Sequence, residues 1–284
     1  MKALLVAIWC ISALSGRAIT QTPARGDSIH AAKTLFTWRD PLLAGGFVAL
    51  TVGLLPVDGT IQRHLQDSTT QANHFLKNAS RTVEYVGDPG ALVVGVGMYA
   101  IGRVANLRRV EDLGLHLSEA VVASGIVTAL AKDVAGRARP YVSGDTSPHD
   151  FSWLRGFRGG GGYRSFPSGH TTAAFAGAAV VTSESRLWSP HAVWFVAPLA
   201  YGTASLVGLS RMYNNAHWAS DVVLGAAVGT FSGIKVVRYT HGHSNNLIDR
   251  WLLGTTVVGL PDGRFAVGWS SSTRGAQAGR TLVK

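Results

Sequence analysis

Pro167-Ser168-Gly169-His170, followed by Thr171, Thr172 and an Ala-rich run to residue 182, is the stretch from which the architecture is read. Ser168 has the chemistry of a helix N-cap. Gly169 lets a ligand approach the backbone closely. The first N–H groups of a helix lack internal partners and bind anions well. His170 falls in that first turn, where an imidazole can hand a proton to a leaving oxygen. The plainer alternative is a capped helix with a structural histidine. Either way, the residues that follow are apolar, small and free of proline, as a packed helix requires.

Working outward, six apolar segments rich in Ala, Gly, Val and Leu repeat this character: 41–57, 89–102, 115–131, 171–182, 192–209 and 222–237. Asp40-Pro41 and Asp88-Pro89 are helix entries, with Pro near the first turn and Asp as the cap. The Arg/Asn-rich 103–112 reads as a connector. Five glycines in 156–162 exclude regular helix there. Residues 251–260 and 264–270, around Pro261-Asp262-Gly263, read as a short hairpin, and 271–284 as a loose tail. The expected fold class is therefore all-α, a bundle of about six core helices with a short C-terminal β-hairpin.

Composition narrows the function classes. The 284 residues carry 15% charged and 46% hydrophobic side chains, which excludes a disordered chain. A single cysteine excludes a disulfide scaffold. The net charge is +10, with 26 Lys and Arg against 16 acids, and Arg outnumbers Lys. Arg suits forked contacts with phosphate. The excess fits an anionic small substrate or an anionic membrane surface. No Lys/Arg-rich run resembles a nucleic-acid tail, so no nucleic-acid partner is expected.

Residues 1–18 have the layout of an export signal: Lys2, an apolar core from 3 to 14, and small residues at Gly16-Arg17-Ala18. A spanning helix needs about 20 apolar residues. Only 192–209 and 41–57 approach that length. The expectation is an exported, periplasmic bundle, soluble or membrane-associated, with an integral inner-membrane protein as the alternative.

Two further blocks carry chemistry. Lys132, six residues, then Arg139-Pro140 sets two cations at a helix end, since Pro140 halts further helix. Ser210-Arg211, five residues, His217, three residues and Asp221 forms the other. His217 and Asp221, four apart, would share a helix face. Asp221 can then hold a proton on one ring nitrogen and leave the other free to attack phosphorus. Arg211 can grip phosphoryl oxygens. Taken singly, these blocks also fit a solvated helix end and an exposed ion pair worth about 0.3–0.5 kcal/mol. His241-Gly242-His243 offers two histidines on a tail, which makes a weak metal site. Trp153, Tyr163, Phe166 and Trp218 flank the blocks as core residues or as the lining of an apolar entrance.

In order and in spacing, the three blocks together resemble the signature of the type 2 phosphatidic acid phosphatase and vanadium haloperoxidase superfamily, over about 41–237 and without a departure at a signature position. The resemblance implies an all-helical acid phosphatase/haloperoxidase-like core around one phosphate pocket. Together with the signal and hairpin read from the residues, which lie outside the resemblance, the chain divides into a signal (1–18), an N-terminal segment (19–40), a helical phosphatase domain (41–240) and a hairpin with tail (241–284). The resemblance implies that Lys132, Arg139 and Arg211 bind phosphate oxygens, with Ser168 and Gly169 completing the cradle. His217 would attack phosphorus and become a phosphohistidine. Asp221 would orient it, and His170 would protonate the leaving group. Neither metal nor cofactor is implied for the phosphatase branch, whose substrate would be a phosphorylated lipid or a small phosphate ester. Two alternatives stay open: a vanadate-dependent haloperoxidase using the same pocket, and a non-catalytic envelope protein that binds an anion.

Overall fold

A computed structural model describes residues 35–87, 89–142 and 147–243, together with the backbone of two strands between 255 and 269. The signal-like start at 1–18, most of the segment up to residue 40, the turn at 261–263 and the tail at 271–284 lie outside the described residues.

Nine α-helices are described: α1 (Arg39–Leu54), α2 (Asp58–Leu65), α3 (Ser68–Gln71), α4 (His74–Glu84), α5 (Gly90–Val104), α6 (Arg108–Ala135), α7 (Gly169–Trp188), α8 (Val193–Tyr213) and α9 (Ala219–Gly242). Each of the six apolar segments lies largely within one of the long helices. Three short helices, α2 to α4, fill the stretch between 57 and 89 that the apolar pattern left blank. The supposed connector 103–112 is mostly helix, because α6 starts at Arg108 and runs 28 residues. Of the polar residues that made 108–112 look like a loop, Arg108 and Arg109 stay exposed on the helix and Glu111 is buried by pairing, accepting from Arg103 across the α5–α6 corner at 2.5 Å. Two strands, β1 (Thr255–Gly259) and β2 (Phe265–Trp269), pair antiparallel with Val257 opposite Val267.

The core is built from small residues, so the helices approach closely. Ala91, Leu113, Leu117, Ala120, Val121, Ala173, Ala176, Val180 and Val237 form one buried cluster drawn from α5, α6, α7 and α9. Gly225, Gly229 and Gly233 make a stripe along α9 that lies on the carbonyls of Ser168, Thr172 and Ala176 in α7. A methyl on Gly225 or Gly233 would come 2.6 Å from the facing carbonyl oxygen. Backbones packed this tightly align the N-termini of α7 and α9, where the second and third blocks sit.

The outer faces are apolar. Leu42, Leu50, Val93, Ile126, Leu130, Trp194, Phe195 and Leu199 are all exposed. Four helical stretches are long and apolar enough to cross a membrane: Arg39–Leu65, Arg108–Ala135, Pro190–Tyr213 and Ala219–Gly242. The expectation that only two segments approach this length is corrected. Lone charges such as Lys235, paired with Asp40 at 2.5 Å, interrupt the apolar pattern without ending the helix. A soluble bundle would bury such surface; this chain is membrane-associated.

Candidate functional site

The first block is fixed by the way α6 ends. Gly136 takes a left-handed conformation (φ +52°), and a side chain there would strike the Ser152 carbonyl. Arg155 closes the helix end, donating from Nε and Nη2 to the Gly136 oxygen at 2.9 and 2.7 Å. The chain then runs extended through Arg137, Ala138 and Arg139. Ala138 N donates to Asp150 O at 3.0 Å, Arg139 N to Gly162 O at 2.8 Å, and Ser165 N to Arg137 O at 3.1 Å. The glycine-rich 156–162, which forms two 3-10 turns at Arg155–Phe157 and Gly161–Tyr163, thus clamps the block.

Lys132 stands in the last turn of α6 and donates to the Arg164 carbonyl at 2.9 Å. A methyl on Gly169 would lie 3.7 Å from its Cε, so the lysine stem lies over the start of α7. Arg139 makes two long contacts, 3.5 Å each, to the carbonyls of Ala216 and Arg164. Arg211 closes α8 and pairs with Glu84 from α4. Lys132, Arg139 and Arg211 repel one another across the pocket. Arg139 Nε and Arg211 Nε are buried with no hydrogen-bond partner among the described residues. Buried donors of this kind are satisfied by an anion. Beside Glu84, a polar cleft of about 360 Å³ lies between Lys77, Arg81 and Asn214.

Ser168 does occupy the N-cap position of α7, but its side chain does not cap. Its Oγ accepts from Thr171 Oγ1 at 2.9 Å instead. Gly169 and His170 form the first turn, with the His170 backbone packed against Gly87 in the α4–α5 turn.

His217 is not on the helix with Asp221. It precedes α9, whose N-cap is Trp218, and the pair meet because Asp221 folds back from the third helical position. Asp221 Oδ2 accepts from Trp218 N at 2.9 Å and from Ser165 Oγ at 2.5 Å, and lies 3.5 Å from His217 Nδ1. His217 is buried. Burial pushes its pKa down to about 3, with Lys132 and Arg139 pushing the same way and Asp221 opposing. It is therefore neutral at physiological pH, as a nitrogen nucleophile must be. Burial likewise lowers Arg139 from the usual guanidinium value.

Sequence reading missed four residues. Arg137, fully buried, donates from Nη1 to Asp221 Oδ1 at 2.5 Å and from Nη2 to Asp58 Oδ2 at 2.8 Å. Asp58 also accepts from Ser220 N at 2.9 Å. Ser165 and Glu84 complete the set. The available signal was Arg137, an unexplained third cation inside the first block. Of the flanking aromatics, Trp218 is core and donates to Ala138 O at 2.9 Å, whereas Trp153 is exposed, as are Tyr141, Leu154 and Phe157.

Comparison with known proteins agrees with this geometry. The family described as the PAP2 superfamily matches residues 113–244. The chain is 40% identical over 104 residues to a lipid A 1-phosphatase of Porphyromonas gingivalis, covering 37% of this chain and 22% of that protein. It is 34% identical over 131 residues to a lipid A 1-phosphatase of Rhizobium etli, covering 46% and 52%. The chain thus spans between a fifth and about half of the length of these relatives. In fold it resembles a transmembrane PAP2 type phosphatidylglycerolphosphate phosphatase from Bacillus subtilis, with a TM-score of 0.53 at 20% identity over 72% of this chain and 97% of that one. The family match begins inside α6 and ends just past α9, so it spans the helices that carry Lys132, Gly169, Arg211 and Asp221, and over residues 113–244 this chain is similar to the PAP2 superfamily.

Proposed function

We propose that the chain is a phosphatase acting on a phosphorylated lipid through a covalent phosphohistidine at His217, with no metal in the phosphate pocket. One observation carries the reading: a buried, neutral imidazole backed by Asp221 faces a pocket where Lys132, Arg139 and Arg211 converge with unsatisfied guanidinium N–H groups. Phosphoryl transfer depends on positioning and charge stabilisation, and three cations with the N–H groups of Gly169 and His170 supply both. His217 Nε2 forms a bond to phosphorus as the ester P–O bond breaks. The leaving oxygen takes a proton from His170. Water then gives a proton back to His170 and attacks phosphorus, and release of phosphate restores His217.

The lipid class is supported by the apolar outer faces, by exposed Tyr141, Trp153, Leu154 and Phe157 near the first block, and by the relatives, which are lipid A 1-phosphatases. The export-like start at 1–18 supports a place in the cell envelope. The test is phosphate release by detergent-purified protein in EDTA, from phosphorylated lipids and soluble esters side by side. Release from lipids that disappears in His217→Ala is expected. Full activity in that variant would overturn the nucleophile. Halide oxidation with added vanadate and peroxide, without phosphate release, would assign the pocket to the haloperoxidase branch.

A further inference from the structure

At the opposite end of the bundle, His116 of α6, Glu184 of α7 and His241 of α9 meet inside the protein. His116 Nδ1 lies 2.6 Å from Glu184 Oε1, and His241 Nε2 lies 2.9 Å from the same oxygen. One ligand atom from each residue falls within 4.8 Å of the other two. Helix rise places this cluster far from the phosphate pocket: Lys132 and His116 are 16 residues apart on one helix, about 24 Å.

We propose that His116, Glu184 and His241 form a transition-metal site, for Zn²⁺ by preference, that pins α6, α7 and α9 together. Two imidazoles and one carboxylate are a donor set for zinc rather than for calcium or magnesium, which favour all-oxygen shells. Zinc bonds of about 2.0–2.2 Å put neighbouring ligand atoms roughly 3.3 Å apart. The observed 2.6 and 2.9 Å separations need to open by about 0.4–0.7 Å, and the two imidazole nitrogens, within 4.8 Å of each other, need to draw together by up to about 1.5 Å. His116 and Glu184 are fully buried, and Glu184 Oε2 has no hydrogen-bond partner among the described residues. A carboxylate with one bare oxygen in an apolar core is costly unless a cation shares it. His241 is about one-third exposed at its side chain, which gives an ion and a fourth, water ligand a way in. The weak pair His241-Gly242-His243 thus contributes one histidine to a site whose other ligands come from distant helices. A structural site here is compatible with metal-free chemistry at His217, because the two clusters share no residue.

The test uses the full chain in detergent, loaded with Zn²⁺ or Co²⁺, desalted and assayed for bound metal. One equivalent per chain is expected, with a visible Co²⁺ absorption band and a raised unfolding temperature. His217→Ala should keep the metal. Glu184→Gln should lose affinity by more than the roughly 10–100-fold that loss of a supporting hydrogen bond costs. His241→Ala, altered at the exposed edge, should do the same even if Glu184→Gln fails to fold. Absence of bound metal, or retention of it in folded His241→Ala, would overturn the site and leave a hydrogen-bonded triad. Because the readout is metal content, its failure is separate from any failure of the phosphatase reading.

Discussion

Arg137 Nη1 meets Asp221 Oδ1 at 2.5 Å, with both side chains wholly buried. The other arm of the guanidinium reaches Asp58, so one arginine ties the base of the His217 block to the start of α2. Removing one partner from a buried pair leaves an uncompensated charge and costs about 3–5 kcal/mol. Arg137→Ala should therefore destabilise the detergent-solubilised protein by about that amount in a denaturation series. Asp58→Asn, which keeps an oxygen acceptor, should cost less. A loss under about 1 kcal/mol for Arg137→Ala would mean that the network does not hold the site.

Asp221 has a second task beside His217. Asp221→Asn keeps the shape but loses the charge that orients the imidazole, and in a histidine–aspartate pair this loss lowers kcat by up to about 10⁴-fold. Single-turnover phosphate release measures it. A kcat within about threefold of the parent would show that Asp221 only caps α9, through the Trp218 N–H at 2.9 Å.

His170 should reveal itself through the leaving group. An alkoxide needs a proton as the P–O bond breaks, whereas a nitrophenolate does not. His170→Ala should lose about 10²–10⁴-fold on an alkyl phosphate and far less on a nitrophenyl phosphate. Equal losses on both would make His170 a phosphate-binding group rather than an acid.

The helices and the pocket differ in how much of them the sequence reveals. The six apolar segments are visible because small apolar residues fill whole helices. α4 is not, because its sequence is polar and its burial rests on single contacts such as Ser80 Oγ to Asn214 Oδ1 at 3.0 Å. The pocket cations were legible as spaced blocks. Asp58 was not, since its partners Ser220 and Arg137 lie 162 and 79 residues away and no local pattern joins them. The placing of His217 outside the helix was hidden for a related reason. Four-residue spacing implies one face only within a helix, and here the helix begins two residues after the histidine.

The pH profile follows from the burial of His217. Its folded value lies near 3, below the usual value of about 6.5. Below pH 6.5 the unfolded chain binds a proton that the folded site refuses, so stability should fall as pH drops from about 6.5 toward 3. His217, the proposed nucleophile, stays neutral across that window. After correction for the substrate's own phosphate ionisation near pH 6, kcat/KM should show no acid inflection between pH 5 and 7. A surviving inflection at about 6.5 would show that the imidazole is open to solvent.

The α7–α9 contact ties packing to chemistry most directly. Gly233 faces the Ala176 carbonyl with no room for a side chain, and Gly225 faces the Ser168 carbonyl two turns nearer the pocket. A valine at either place must push the helices apart, and overpacking of this kind costs about 1–3 kcal/mol. The two sites should differ in catalysis. Gly225→Val displaces Ser168, whose N–H bonds the Asp221 carbonyl at 3.0 Å, and so moves the second block relative to the third. Misplacement of reacting groups by about 1 Å can cost 10²-fold. Gly225→Val should therefore lower kcat by about that factor, while Gly233→Val, two turns further away, should lower stability and leave kcat within about threefold at a temperature where both remain folded. Equal kcat losses in the two variants would show that helix spacing acts on the site as a rigid whole, and no loss in either would detach the stripe from catalysis.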